Sequence, residues 1–324
     1  MGFLRFLESI RNPVFDWFFS LITEIGGETV LLVLGFMFFW CIDKKQGYFT
    51  LLCGLFGTVI NQGLKLMCKI PRPWVLDKSF TIVESAREAA TGYSFPSGHT
   101  QNVAGTFGSL ALGQRKHKWI VIGSVAIVIL VAFSRMYLGV HTPADVLTSL
   151  AIALALILVM RPIFASEDNF HRYMPYVVVV GYVLTILLLC YVFLHPTDGV
   201  DAANLASAKK NACTLHGAVM GLVAVFCLER FVFGDFDTRA SWYVQVIKLV
   251  LGFGVVVLIK ELLRTPLNFI CFGNEYVGRA LRYFLMVVFA GGIWPQTFKR
   301  LVKIRIPALD NLFARKKKNA DKEV

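Results

Sequence analysis

Three short polar segments interrupt an otherwise apolar chain, and each carries residue types that can handle an oxyanion. Residues 65–73 (KLMCKIPRP) place Lys65 near the end of an apolar run and Arg72 between Pro71 and Pro73, whose restricted backbone holds the guanidinium on stiff extended chain. Two cations there suit an oxyanion, although Lys and Arg near helix ends also reach back routinely to headgroups. Residues 95–100 (FPSGHT) read as a helix entry. Its free N–H groups and positive dipole end make an anion site, with Gly98 allowing close backbone approach and Ser97 offering its hydroxyl. His99, in the first turn, is placed to protonate a leaving oxygen. The same residues would also serve as a plain Ser N-cap followed by a histidine at a wet helix end. Residues 134–145 (SRMYLGVHTPAD) end one helix at Arg135, turn at Gly139, and start another with the Thr142–Asp145 capping pattern and Pro143 at its first position. Capping alone could account for Asp145. His141, however, precedes it by four residues, close enough for the carboxylate to hold one ring nitrogen and leave the other free to attack phosphorus.

The elements that must position these segments are membrane helices. The chain of 324 residues is 56% hydrophobic and 17% charged, with a mean hydropathy of +0.63, which argues against a soluble enzyme. Apolar runs cover 29–42, 48–67, 97–113, 119–138, 143–164, 174–195, 212–233, 242–263 and 276–298. About 20 apolar residues cross about 30 Å of hydrocarbon, and lipid tolerates no open backbone. The expectation is an all-α polytopic bundle of about nine transmembrane helices, with residues 13–25, too short to span, forming an N-terminal interfacial helix.

The net charge is +12, and residues 299–324 hold half of it, nine basic against three acidic. That reads as a polybasic tail beside anionic lipid rather than a nucleic-acid surface, because the other basic residues are scattered at the ends of apolar runs. With nine spans, 18 basic residues fall on the side of the tail and 11 on the other. The positive-inside rule then puts the C-terminus in the cytoplasm and residues 68–96 and 135–142 outside. The seven cysteines lie mostly in apolar runs with no CxxC pair, and the six histidines have no zinc-binding spacing.

Taken together, K-x6-RP at 65–73, PSGH at 96–99 and SR-x5-H-x3-D at 134–145 resemble the three signature motifs of the type 2 phosphatidic acid phosphatase family, which is itself related to the vanadium haloperoxidases. The joint pattern spans roughly residues 48–150 and is far more specific than any one motif. The resemblance implies a phosphatase needing no metal or other cofactor, in which His141 attacks phosphorus to form a phosphohistidine, Asp145 orients it and His99 protonates the leaving alkoxide. It also implies that Lys65, Arg72 and Arg135, with Ser97 and the Gly98 N–H, clamp the phosphate. Only 22 residues join the first two motifs at 74–95, so the site should open close to the membrane surface on a lipid phosphate or diphosphate. Undecaprenyl diphosphate of a bacterial cell membrane is the first candidate, with phosphatidylglycerol phosphate, phosphatidic acid and sphingoid phosphates alongside. A lipid phosphotransferase using the same phosphohistidine, and a lipid transporter or binding protein, are the alternatives.

The chain divides into a phosphatase core at 1–165, four additional helices at 170–300 and the basic tail at 301–324. In the second part, Gly217 and Gly221 form a GxxxG suited to close helix packing, and His216 reads as a packed histidine. Charges inside these runs call for partners. Lys248 is expected to approach Glu229, and Arg279 and Arg282 to approach Glu261 or a headgroup. The sequence does not fix the oligomeric state.

Overall fold

The computed structural model describes residues 1–194 and 199–306, and these residues contain helices and no strand. Two short helices, α1 (Gly2–Ser9) and α2 (Pro13–Glu24), precede α3 (Glu28–Met37), which runs on through a π-helical turn at Phe38–Ile42. The motif-bearing helices follow: α4 (Lys44–Cys68), the single turn α5 (Pro73–Leu76), α6 (Gly98–Gly113), α7 (Lys118–Tyr137) and α8 (Pro143–Met160). The remainder comprises α9 (Glu167–Leu194), α10 (Ala202–Leu228), α11 (Trp242–Leu262), α12 (Arg264–Ile270) and α13 (Glu275–Val287). The basic tail expected from 301 lies, from 307 onward, outside the described residues.

Seven stretches are long and apolar enough to cross a bilayer, and α2 with α3, bent by 46°, would make an eighth. The nine expected crossings included 97–113 and 29–42, and these two account for the difference. At 16 residues α6 is only about 24 Å long. It can be short and partly polar because it lies between α4, α7 and α8 and shows little of itself to lipid. It still connects the two ends of the bundle, since Thr58 Oγ1 donates to Asn102 Oδ1 near one end (3.3 Å) and Gln46 Nε2 donates to the Ser109 carbonyl near the other (3.3 Å). Thr50 and Ser109 hydroxyls meet between them at 3.1 Å. The α4–α6 seam is therefore a ladder of side-chain hydrogen bonds. Helix α2 is capped by Asn12, whose side chain accepts from the Val14 and Phe15 N–H groups. It lies against the end of α7 through Phe19 and Tyr137 and turns Val14, Trp17 and Leu21 outward.

The second half is not a separate body. One cluster of buried side chains draws Trp40, Tyr48 and Phe49 from the first helices together with Phe236 from the segment before α11 and Trp294 and Phe298 from beyond α13. Helices α10 and α13 pack closely because Gly217 and Gly221 leave room for the Ala280 carbonyl and for Val287. His216 is packed against Tyr182 and bonds Thr185 (3.1 Å).

Two expected charge pairings are corrected. Lys248 does not meet Glu229. Its ammonium is wholly buried, donates to the Thr238 carbonyl (3.0 Å), and lies 4.3 Å from the centre of the Phe298 ring. Glu229 instead pairs with Lys44 (3.2 Å), which the start of α4 brings closer than α11 can. Arg279 and Arg282 do not pair with Glu261. They donate to the Thr214 hydroxyl (2.8 Å) and the Lys260 carbonyl (3.1 Å), while Glu261 pairs with neighbouring Lys260 (3.6 Å). Backbone carbonyls and hydroxyls within reach stand in for the carboxylates that sequence spacing suggested.

Candidate active site

The three motifs meet at one end of the bundle around a cavity of about 220 Å³. Helix α4 carries Lys65 in its last turn, and Lys69, in the left-handed region at φ 49°, ends that helix. The chain then passes through Ile70 and Pro71 to Arg72, which caps α5 in extended backbone with Pro73 at the first helical position. Ser97 caps α6, so Gly98 and His99 stand in its first turn. Between α7 and α8 the chain turns at Gly139 (φ 80°), where a side chain would strike Arg11 and Phe80. The Val140 and His141 N–H groups fold back onto the Arg135 carbonyl, each at 3.2 Å, which fixes His141 relative to Arg135.

His141 is 2% exposed, and its two ring nitrogens have distinct partners. Arg72 Nη1 lies 2.9 Å from Nε2. A guanidinium can only donate, so Nε2 is an acceptor and the ring proton sits on Nδ1, facing Asp145 Oδ2 at 3.3 Å. The same carboxylate oxygen accepts from Ser94 Oγ (2.6 Å) and from the Thr142 N–H (2.8 Å). Asp145 thus completes a capping box on α8 and orients the imidazole at once. Burial, reinforced by Arg72, Arg135 and Lys65, holds the His141 imidazole well below its usual range, in agreement with a neutral ring.

Lys65, Arg72 and Arg135 are all buried, and none is paired with a carboxylate among the described residues. Lys65 Nζ donates to the Tyr93 carbonyl, Arg72 to the carbonyls of Gly92, Thr91 and Val140, and Arg135 Nη1 to Thr23 Oγ1 (2.8 Å). Three buried cations with no ion-pair partner among the described residues are costly, and an anion in the cavity they line would relieve that cost. His99 and Gly98 line the same cavity.

Seven of the eight residues singled out in the sequence therefore converge on this centre, Asp145 from behind His141. The eighth, Ser97, is held differently. Its hydroxyl is fully buried, accepts from the Thr100 N–H (3.4 Å) and hydroxyl (2.9 Å), and is not on the cavity wall. Ser94 and Thr23, which bond Asp145 and Arg135, and Asn61 and Gln101, which line the cavity, are not singled out by the sequence. For Asn61 a signal existed, since it stands four residues before Lys65 and so on the same face of α4. Among the described residues no group of three His, Cys, Asp or Glu side chains could hold a metal ion.

Residues 46–167 match the PAP2 superfamily, and residues 213–305 match the PAP2 superfamily phosphatase transmembrane extension. Undecaprenyl-diphosphatase BcrC of Bacillus subtilis (strain 168) is 31% identical over 150 residues, covering 45% of this chain and 73% of that protein. Phosphatidylglycerophosphatase B of the same organism is 31% identical over 166 residues, covering 47% and 76%. Mouse sphingosine-1-phosphate phosphatase 1 is 22% identical over 271 residues, which is 80% of this chain and 62% of that protein. No solved structure gives a significant match. With motif geometry, membrane helices and relatives in agreement, the chain belongs to the PAP2 superfamily and is an integral membrane phosphatase of that family.

Proposed function

We propose that the protein hydrolyses the phosphate ester of a membrane lipid through a phosphohistidine formed on His141 Nε2. The observation that carries this reading is the neutral His141 ring, held by the Asp145 carboxylate and facing three buried cations that form no ion pair among the described residues. Lys65, Arg72 and Arg135 hold the phosphate, joined by the Gly98 N–H at the start of α6, and stabilise charge on its equatorial oxygens. Arg72, now bonded to Nε2, shifts its N–H to a phosphate oxygen and frees the nitrogen lone pair for in-line attack. The P–O bond to the lipid breaks as the N–P bond forms, and His99, protonated once the bound phosphate offsets the burial and the Arg135, Arg72 and Lys65 charges that disfavour its cation, delivers that proton to the departing oxygen. Water then attacks phosphorus, His99 takes its proton, and phosphate leaves with His141 neutral again. Asp145 balances the positive charge that the ring carries while phosphorylated. Ser97 acts by shaping the entry of α6, since its hydroxyl is engaged with Thr100.

The mechanism requires no metal or other cofactor. The clamp faces the outer side of the membrane, with the C-terminal tail cytoplasmic, as the distribution of basic residues between the two ends supports.

Phosphate release by the purified full chain is the test, across lipid monophosphates and diphosphates, with a chelator present and His141→Ala alongside. Chelator-resistant release that the variant lacks is expected. Release that survives His141→Ala would sink the mechanism.

A further inference from the structure

The cavity holds more than a phosphate clamp. Asn61, one turn inward from Lys65 on α4, and Gln101, three residues into α6 from Gly98, are each 1% exposed, and all four of their amide atoms are without a hydrogen-bond partner. Both residues line the cavity. The arrangement is built: Gly57 leaves the space that the Gln101 amide occupies, since a Cβ there would meet Nε2 at 2.6 Å. Asn61 Oδ1 lies 4.0 Å from where a Cβ on Gly98 would stand, within reach of the clamp. Neighbouring amides are already satisfied, Asn102 by Thr58 and Asn211 by Gln62. Leaving two buried amides unsatisfied is expensive, so their position beside the reaction centre asks for a ligand that both donates and accepts.

We infer that Asn61 and Gln101 form a subsite that recognises a hydroxyl or amine on the carbon next to the phosphate-bearing carbon of the lipid. This rests on the phosphatase reading and narrows its substrate class. The spacing fits. Asn61 is one turn, about 6 Å, from Lys65 along α4, and the bonds from phosphorus through oxygen and two carbons to such a substituent reach about 5 Å. The charges fit as well. Lys65, Arg72 and Arg135 are the cations on the described wall, already committed to one phosphate, while Glu28 is its one carboxylate. A second phosphate in place of the hydroxyl or amine would find only uncharged amide N–H donors, beside amide oxygens and an acid and with no cation left to neutralise it, so the subsite selects monoesters over diphosphates. Glu28 adds a preference for an ammonium over a hydroxyl.

The test compares the full chain with Asn61→Leu and Gln101→Met on four lipids in detergent. Sphingosine 1-phosphate carries the amine, phosphatidylglycerol phosphate the hydroxyl, and phosphatidic acid and an isoprenyl diphosphate neither. The wild type should favour the first two by at least about threefold in kcat/KM, and each substitution should cut that ratio about three- to tenfold. Glu28→Gln should lower the ratio for the amine-bearing lipid alone, which separates the two sources of the polar group. In parallel, thermal stabilisation of each protein by glycerol 1-phosphate and by propyl phosphate reads binding without turnover. The wild type should prefer the former and the variants should lose that preference. Equal treatment of all four lipids, or ratios unchanged by both substitutions, would overturn the subsite while leaving the phosphatase intact. Absence of release from every lipid would instead sink the phosphatase reading, and the soluble esters would then decide the subsite by themselves.

Discussion

Asp145→Asn isolates the charge of the carboxylate from its hydrogen bonds. One oxygen, Oδ2, accepts from Ser94, from the Thr142 N–H and from His141 Nδ1. An asparagine can place its amide oxygen at that point and keep all three contacts, so the capping box and the ring orientation survive. What it cannot supply is the negative charge opposite the imidazolium-like ring of the phosphorylated intermediate. At roughly 4 to 5 Å and an effective dielectric near 20, that interaction is about 3 to 4 kcal/mol. The expected loss is therefore about 10² to 10³ in kcat, with a change in folding stability below about 1 kcal/mol because the neutral contacts persist. Single-turnover phosphate release, alkali-stable trapping of the phosphoenzyme and a thermal melt measure these separately. A drop of less than about fivefold with a folded protein would refute the counter-charge argument. A large drop accompanied by a collapsed melt would show that Asp145 acts through the α8 cap instead.

Four further outcomes follow from the geometry. Because burial and the surrounding cations depress the His141 pKa, the ring stays unprotonated as pH falls through the ordinary imidazole value of about 6.5, and the acid limb of the kcat/KM profile should lie below it. Arg135→Gln removes one depressing charge and should move that limb to higher pH, whatever its effect on rate. Ser97→Ala should destabilise the protein by about 1 kcal/mol through loss of the α6 cap and change KM little, read by melting temperature against KM. Gly217→Val drives a side chain into the Ala280 carbonyl and should cost about 1 to 3 kcal/mol in a chemical or thermal unfolding experiment.

The candidate site was legible in the sequence because the proposed chemistry needs rare residue types at fixed spacings in an apolar background. Lys65, Arg72, His99, Arg135 and His141 stand out in a membrane chain for the same reason that they are costly to bury there. Asn61 and Gln101 do not. An uncharged amide inside a helix gives no periodic signal, and only the contact between α4 and α6 reveals that both point into the clamp. The two expected crossings that fall short on length and composition alone have a related cause. Hydropathy measures contact with lipid, and α6 is shielded from lipid by α4, α7 and α8, so its length and polarity answer to its neighbours. Lys248 likewise follows proximity in three dimensions: carbonyls at the ends of elements accept its protons, and Glu229 is already held by Lys44.

The hydrogen-bonded seam between α4 and α6 has a mechanical consequence. Two oily helices can slide past one another by fractions of a turn as a bilayer thickens or thins, because dispersion contacts re-form at each position. A seam pinned by Gln46 to Ser109, Thr50 to Ser109 and Thr58 to Asn102 has no such intermediate stops, since a partial slip breaks all of these bonds together. It works as a detent that sets the axial offset between Lys65 at the end of one helix and Gly98 at the start of the other. The spacing of the proposed phosphate clamp is thereby insulated from the thickness of the membrane around it.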